Sequence, residues 1–99
     1  MSWCENRLLI LGAKSTLKKF HRDDWEKGVR ARFVELIEIS PTRFVCSFET
    51  RVVQAAALGR ISRRWPTLTF VLDYEMRGKR IKGTAKAKAG QIKTFEFSY

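Results

Sequence analysis

The clearest pattern in the chain is an alternation of charged and small residues over 80–88. The even positions are basic or threonine, and the odd positions are isoleucine, glycine or alanine. Because successive side chains of a strand point to opposite faces, this alternation predicts a strand with one basic and one apolar face. The basic face contains Arg80, Lys82, Lys86 and Lys88. Such a row of like charges repels itself, so it suits a polyanion or an acidic protein surface as its partner.

The first third of the chain has the hydrophobic pattern of a strand, followed by that of a helix. Residues 3–11 end in the apolar run 8–11, which is typical of a central strand. Ser15 can cap a helix, and the spacing after it predicts a helix of about three turns that ends near Gly28. The apolar anchors of this helix are Leu17, Phe20 and Trp25.

The middle of the chain predicts a hairpin and a second helix. Residues 30–39 and 43–50 alternate as strands do, and the proline-containing segment 40–42 predicts the turn between them. Residues 53–65 return to helical spacing, and Pro66 prevents the helix from continuing.

The end of the chain predicts a meander of three strands. The basic strand lies between alternating segments at 67–75 and 92–99, with turns at Arg77-Gly78 and Ala89-Gly90. The whole order is β-α-β-β-α-β followed by two more strands. This order predicts an α+β fold of the ferredoxin-like type, an antiparallel sheet with two helices on one face, in one domain spanning residues 1–99.

The chain length and the net charge indicate the number of domains and the kind of partner. A chain of 99 residues, 44% of them hydrophobic, suffices for one core. The net charge is +10, and residues 50–99 supply +8 of it, with 11 Lys or Arg against 3 Asp or Glu. This polybasic half indicates nucleic acid or an acidic protein as the partner. No apolar run reaches the roughly 18 residues of a membrane span and the N-terminus lacks a signal pattern, so we expect no membrane association and a cytoplasmic location.

The residues that carry chemistry are few. Cys4 and Cys46 predict two buried thiols, with a disulfide between adjacent strands as the alternative. One histidine and two cysteines make a poor ligand set, so we expect no metal or cofactor. His21 has Asp23 and Asp24 close by, but no nucleophile is tied to them by spacing. We therefore expect a protein without enzymatic activity that acts by binding.

The RNA-recognition fold shares the predicted order of elements and stacks bases on aromatic residues of its two central strands. Here those strands are 8–11 and 43–50. The first has no aromatic residue at its centre, and the core needs Phe44 and Phe48 of the second. The pattern therefore disfavours base stacking on the central strands.

Two features of the basic segments leave alternatives open. The second helix carries three arginines away from its apolar stripe, at Arg60, Arg63 and Arg64. They form either a second basic surface or a solvated helix face. Alternatively, the charges of Lys86 and Lys88 protect the edge of a sheet from pairing with other chains. The small residues behind the basic row either admit a covering element or leave the strand poorly packed until a partner arrives. The candidate contact residues are Lys79, Arg80, Lys82, Lys86, Lys88, Lys93, Arg60, Arg63 and Arg64.

The sequence contains a Trp-Cys-x-Asn-x-Leu run at 3–8, a Phe-x-Thr run at 48–50, the segment 61–70 and Tyr74-Glu75. These runs resemble the YubB-like ferredoxin-domain family, which plasmids and phages encode. The resemblance spans most of the chain and implies a ferredoxin-like fold and a mobile-element origin. It implies no catalytic residue, because the family is functionally uncharacterised. The chain departs from the family at 51–54, where members have a tryptophan and prolines.

Together these features predict a small basic accessory protein of a phage or plasmid. The leading hypothesis is an inhibitor of a host nucleoprotein defence complex, of the anti-CRISPR type, that acts through its Lys/Arg-rich strand. The alternative is direct, largely sequence-independent binding of DNA or RNA. An enzyme that uses His21 is a third, weaker hypothesis.

Overall fold

The computed structural model describes residues 3–23 and 32–99, which form an α+β fold. The elements are β1 (Cys4–Leu11), α1 (Lys14–Asp23), β2 (Arg32–Ile39), β3 (Arg43–Thr50), α2 (Ala55–Arg64), β4 (Thr69–Met76), β5 (Ile81–Lys88) and β6 (Gln91–Ser98). A short 3-10 turn, Arg77–Lys79, joins β4 to β5. The predicted succession of strands and helices is confirmed. No helix in these two ranges is long and apolar enough to cross a membrane.

The strands form one antiparallel sheet in the order β2-β3-β1-β4-β5-β6. The apolar strand β1 is central, as its sequence predicts, and the hairpin β2-β3 and the meander β4-β5-β6 are both present. In the described part of the chain the edges are β2 and β6, whereas β5 pairs on both sides. The interpretation of Lys86 and Lys88 as edge protection is therefore wrong.

Both helices cover the same face of the sheet, which we call the helix face. Phe20 of α1 meets Phe44 of β3 and Phe70 of β4 edge to face, with ring centroids 6.4 and 5.6 Å apart. Leu58 and Ile61 of α2 belong to the same buried cluster. The other face, which we call the open face, has neither helix on it.

The small residues of β5 let α2 pack closely. Ala85 and Ala87 are fully buried, and α2 contacts β4, β5 and β6. The turn after β5 is also tied to α2, because the Gly90 N–H donates to Ser62 Oγ at 3.0 Å. Of the two alternatives for the apolar face of β5, the structure shows the close approach of a covering element.

A two-residue turn joins β5 to β6. Ala89 and Gly90 have φ values of 53° and 83°, and Lys88 lies opposite Gln91. Two positive φ values are the signature of a type I′ turn, whose twist matches that of the strands it joins. The predicted turn is confirmed, and it fixes the register of the whole hairpin.

The start of α1 differs from the prediction. The helix begins at Lys14, so Ser15 lies in its first turn and is not its cap. The Leu17 N–H donates to the Ala13 carbonyl at 2.9 Å, which places the helix boundary before Ser15. Leu17 and Phe20 are buried as predicted, whereas Trp25 and Gly28 lie outside the described residues.

β2 is less regular than its sequence pattern predicts. It is described from Arg32, and residues 30–31 lie outside the described part. Its pairing with β3 shifts register twice, so the two-residue alternation is interrupted. Val34, Leu36 and Ile37 are consequently 36%, 44% and 48% exposed.

The motif residues behind the family resemblance meet where β1 and β3 pair. Buried Asn6 donates from Nδ2 to Thr50 Oγ1 at 3.0 Å, and the Thr50 hydroxyl donates to the Val52 carbonyl at 2.8 Å. The Arg32 guanidinium lies 3.4 Å from the centroid of the Trp3 ring. These residues join strands, which is a structural role.

Cys4 and Cys46 are buried thiols that form no disulfide. Cys46 lies opposite Leu8, four positions along β1 from Cys4, so the thiols are separated by about 13 Å. That distance is beyond the reach of a disulfide. Burial raises the pKa of Cys4, which makes it a poor nucleophile. The predicted buried thiols are confirmed, and the disulfide alternative is wrong.

Candidate functional site

Four lysines of β5 and β6 share the open face of the sheet. Lys82, Lys86 and Lys88 of β5 are exposed and alternate with buried residues, as the sequence predicts. Lys93 of β6 lies directly opposite Lys86, and directly opposed residues of antiparallel strands share a face. We call Lys82, Lys86, Lys88 and Lys93 the basic ribbon.

Aromatic side chains of β6 stand beside the basic ribbon. Phe95 lies opposite Thr84 and Phe97 lies opposite Lys82, which places both rings on the open face. Phe95 is 69% exposed and Phe97 is 47% exposed, and their ring centroids are 6.0 Å apart. Folding normally buries phenylalanine, so two exposed rings within a basic surface make this face the candidate site.

Tyr99 continues this row at the end nearest the 3-10 turn. Its backbone N–H donates to the Arg80 carbonyl at 2.9 Å, and the Arg80 guanidinium lies 5.8 Å from the ring centroid. The Tyr99 hydroxyl donates to the Glu75 carboxylate of β4, which raises the pKa of Tyr99. Arg80 and Lys79 thus lie at the end of the site, with Arg80 beside an anchored ring.

Carboxylates border the basic ribbon on the side of β4. Asp73 lies opposite Thr84 and accepts its hydroxyl hydrogen bond at 2.9 Å, and Glu75 lies opposite Lys82. Lys86, in contrast, lies opposite Val71. The lysines are therefore least compensated by carboxylates toward Lys86, Lys88 and Lys93.

A hydrogen bond between β4 and β6 crosses β5 on the helix face, opposite the basic ribbon. On the helix face, the Tyr74 hydroxyl of β4 donates to Glu96 Oε1 of β6 at 2.9 Å. Gly83 lies between them in register, and an added methyl group there would collide with the Tyr74 ring and hydroxyl. Burial and the bond to Glu96 raise the pKa of Tyr74 to about 12. Because Gly83 has no side chain, the bond between Tyr74 and Glu96 can cross β5 and connect β4 to β6.

The predicted contact residues divide into two surfaces. The α2 arginines Arg60, Arg63 and Arg64 are exposed, but they belong to the helix layer on the far side of the sheet from the basic ribbon. Arg63 lies against the β5-β6 turn, where a methyl group added at Gly90 would be 3.1 Å from its Nε. The structure therefore groups Lys79, Arg80 and the basic ribbon on or beside the open face and separates them from the arginines.

The central strands present their phenylalanines to the core. Phe44 and Phe48 of β3 are only 1% and 5% exposed, on the helix face. The expectation that the core needs these rings is confirmed. The aromatic residues available to a ligand, Phe95 and Phe97, lie on β6 instead and were missed in the sequence. The Ala89-Gly90 turn was the available signal, because a two-residue turn places Phe95 and Phe97 on the basic face.

His21 lines a cavity of about 250 Å³ between α1 and the β2-β3 turn. Its ring centroid lies 5.4 Å from that of Phe44, and Lys14, Lys18 and Arg43 contribute the nearby cations. Asp23 forms an ion pair with Arg22 at 2.8 Å, and Asp24 lies outside the described residues. Within 3–23 and 32–99, no group of three or more His, Cys, Asp or Glu side chains is arranged to hold a metal ion.

Comparison of the chain with protein-family models, with curated proteins and with solved structures finds no match. The resemblance to the YubB-like family therefore stays a prediction.

Proposed function

We propose that the protein binds nucleic acid through β5 and β6, largely without reading base sequence. The observation that carries this proposal is the placement of Phe95 and Phe97 beside the basic ribbon on one exposed face. Lysines neutralise phosphates whatever the base sequence, and aromatic rings stack on any base. The site contains both kinds of contact side by side.

The electrostatics of the open face support the proposal. Lys86 and Lys88 are two residues apart, which is about 7 Å along a strand, and Lys93 stands across from Lys86. Three ammonium groups this close repel one another in the free protein. A polyanion relieves that repulsion and releases its own counterions, so binding is strengthened by both changes.

The proposal is tested by fluorescence anisotropy with generic DNA and RNA at about 50 and about 200 mM salt. If the ribbon and Arg80 make five phosphate contacts, log affinity falls against log salt with a slope of about −3.5 for a single strand, or roughly 100-fold over this interval. Absent binding at both salts, or a flat salt response, would contradict the proposal.

Two variants of equal charge locate the surface. One replaces Lys86, Lys88 and Lys93 of the ribbon by Gln, and the other replaces Arg60, Arg63 and Arg64 of α2 by Gln. Each removes three positive charges, so their general electrostatic effects are matched. We expect the ribbon variant to lose at least about tenfold in affinity and more than half of the salt slope. An equal or larger loss in the α2 variant would show that the ribbon is not the contact surface.

The second candidate is the inhibitor of a host nucleoprotein defence complex, which would contact an acidic protein surface. It is favoured by the position of β6, an edge strand in the described chain, whose outer backbone groups can pair with a partner strand. In this case nucleic-acid binding is weak at both salts, and a defence complex is captured by the protein. Charge reversal at Lys82, Lys86 and Lys88 abolishes that inhibition; full activity in this variant would exclude the ribbon as the contact.

We further propose that the first four strands and both helices form a ferredoxin-like unit in a cytoplasmic protein of a phage or plasmid. The strand order supports the fold: β3 lies between β1 and β2, and β1 lies between β3 and β4, so the two βαβ halves interlock. Nuclear Overhauser contacts from β1 to both β3 and β4 are expected, and contacts from β1 to β2 would contradict this topology. The phage or plasmid origin rests on the family resemblance, and the presence of mobile-element genes beside this gene tests it. Fractionation of cells that express the protein tests the location.

A further inference from the structure

We infer that the ligand is single-stranded nucleic acid that lies parallel to β5 and β6, with its backbone over the basic ribbon and two bases on Phe95 and Phe97. This inference rests on the proposed function and adds the class of nucleic acid and its direction.

The exposed rings are suited to unpaired bases. In a duplex the faces of the bases are covered by their neighbours, so a side chain can stack on them only where the bases are splayed apart. The Phe95 and Phe97 rings are inclined at 50° and their centroids are 6.0 Å apart, so neither ring is stacked on the other. This separation exceeds the spacing of about 3.4 Å between bases along a nucleic-acid strand. Bases that contact both rings must therefore separate, which a single strand permits.

The charges beside the ribbon determine the direction of the bound strand. A path across the sheet from the Lys82 end of β5 would bring phosphates against Glu75 and Asp73 of β4 and then Glu5 of β1. A path across the sheet from Lys86 would meet Val71, which carries no charge. A path along β5 instead passes Lys82, Lys86 and Lys88 in turn, over about 20 Å. The lower electrostatic cost therefore lies along the strands.

β5 and β6 present different side chains, which suit the phosphate and the base of a nucleotide respectively. Lysines dominate β5 and phenylalanines dominate the open face of β6, about 5 Å away. Phosphates and bases likewise occupy opposite sides of a single strand. Because β6 is an edge in the described chain, bases placed on it can extend beyond the sheet.

The experiment compares a single-stranded oligonucleotide of about 12 nucleotides, within the range bound by single-strand proteins, with a duplex of the same length. At equal salt we expect the single strand to bind at least about tenfold more tightly. Phe95→Leu keeps an apolar side chain but removes the ring, and we expect it to weaken single-strand binding about 5- to 100-fold. Its effect on duplex binding should be smaller than twofold.

Matched variants keep this test independent of folding. Phe95→Trp restores a ring and should bind the single strand at least as tightly as the original protein. Thr94→Ala changes the neighbouring position, whose side chain lies on the helix face opposite Ala85, and should bind normally. Far-ultraviolet circular dichroism confirms that each variant is folded.

The two proposals fail in distinguishable ways. If the duplex binds as tightly as the single strand, and Phe95→Leu binds normally while the ribbon variant binds weakly, the nucleic-acid function stands and the single-strand inference is overturned. If neither nucleic acid binds, both are overturned. A preference for the single strand that disappears in Phe95→Leu and returns in Phe95→Trp supports both.

Discussion

Gly83 shows how one residue supports the basic ribbon from the opposite side of the sheet. The two-residue period over 80–88 was enough to predict that Gly83 faces away from the lysines, because side-chain direction in a strand is a local property. The reason for glycine at this position depends on Tyr74 and Glu96, which are distant in sequence and become neighbours through strand pairing. That contact could not be predicted from the period alone.

Gly83→Ala is expected to destabilise the protein. The new methyl group would meet the Tyr74 ring and lie 2.8 Å from the Phe95 carbonyl oxygen, so Tyr74 must move and lose Glu96. We expect the free energy of unfolding to fall by about 1–3 kcal/mol in urea denaturation. Lys82→Ala, one position away on the open face, is the control and should change it by less than about 0.5 kcal/mol. Equal stability of Gly83→Ala and the original protein would show that the close packing is absent.

The raised pKa of Tyr74 predicts a loss of stability in alkali. An unfolded tyrosine has a pKa of about 10, whereas that of Tyr74 in the folded chain is about 12. Between these values the unfolded chain releases a proton that the folded chain keeps, so the free energy of unfolding decreases as pH rises through this range. Below about pH 10 this tyrosine contributes its full stabilisation and no pH dependence.

The measurement uses Tyr99→Phe, which leaves Tyr74 as the single tyrosine of the chain. Ultraviolet absorption of the phenolate should then rise near pH 12 rather than pH 10. The decrease in stability between these pH values should be smaller in a variant that also contains Tyr74→Phe. A phenolate that forms at about pH 10, as in an unfolded chain, would contradict the bond to Glu96.

At the scale of the elements, the β5-β6 hairpin determines which side chains share the site. Its turn sets the register that places Lys93 opposite Lys86 and Phe97 opposite Lys82. The helix α2 supports the hairpin through Ser62 and Gly90 and covers Ala85 and Ala87. The hairpin is therefore packed before any ligand arrives.

Ala89→Asn is expected to stabilise this hairpin. Ala89 has a φ of 53°, a left-handed conformation that costs alanine about 1 kcal/mol, whereas asparagine is favoured there in type I′ turns. We expect the free energy of unfolding to rise by about 0.5–1 kcal/mol, with nucleic-acid binding unchanged. Gly90→Ala is the opposite change, in a residue with a φ of 83°, and should destabilise the hairpin. A loss of stability in Ala89→Asn would contradict the turn geometry.

The junction of β1 and β3 is expected to depend on Asn6 and Thr50 as a pair. Asn6→Ala leaves the buried Thr50 hydroxyl without its donor, and Thr50→Val removes the same bond while preserving shape. Each change should lower the free energy of unfolding by about 1–3 kcal/mol. Because both changes remove the bond that Asn6 and Thr50 share, beside bonds that each makes alone, the double variant should lose less than the sum of the two single losses. Additive losses would show that the residues act separately.

At the scale of the whole molecule, the excess charge of the C-terminal half is divided between two sides of the sheet. The basic ribbon faces outward on one side, and the α2 arginines lie in the helix layer on the other. Composition predicted the excess charge, and periodicity predicted that each group is exposed. The sequence predicted the α2 arginines as a second basic surface or a solvated face, but the side of the sheet on which they lie depends on which face the helices cover.

The placement of the exposed phenylalanines likewise depends on which face of the sheet the helices cover. Residues 92–99 were predicted as a strand, but a strand period alone does not show which of its faces is covered by helices. The pairing with β5 assigns Phe95 and Phe97 to the open face, and the two-residue Ala89-Gly90 turn was the signal for that pairing in the sequence. The sequence was thus sufficient for the class of fold and the order of elements, and it indicated the aromatic half of the site only through the register that this turn imposes.

The most direct test of the account is a titration of the isotope-labelled protein with a single-stranded oligonucleotide, followed by amide chemical shifts in nuclear magnetic resonance. The largest changes are expected in β5 and β6, over 82–97, while the α2 residues 60–64 change little. Changes concentrated at Arg60, Arg63 and Arg64, or no change anywhere at low salt, would contradict the assignment of the open face as a nucleic-acid binding surface.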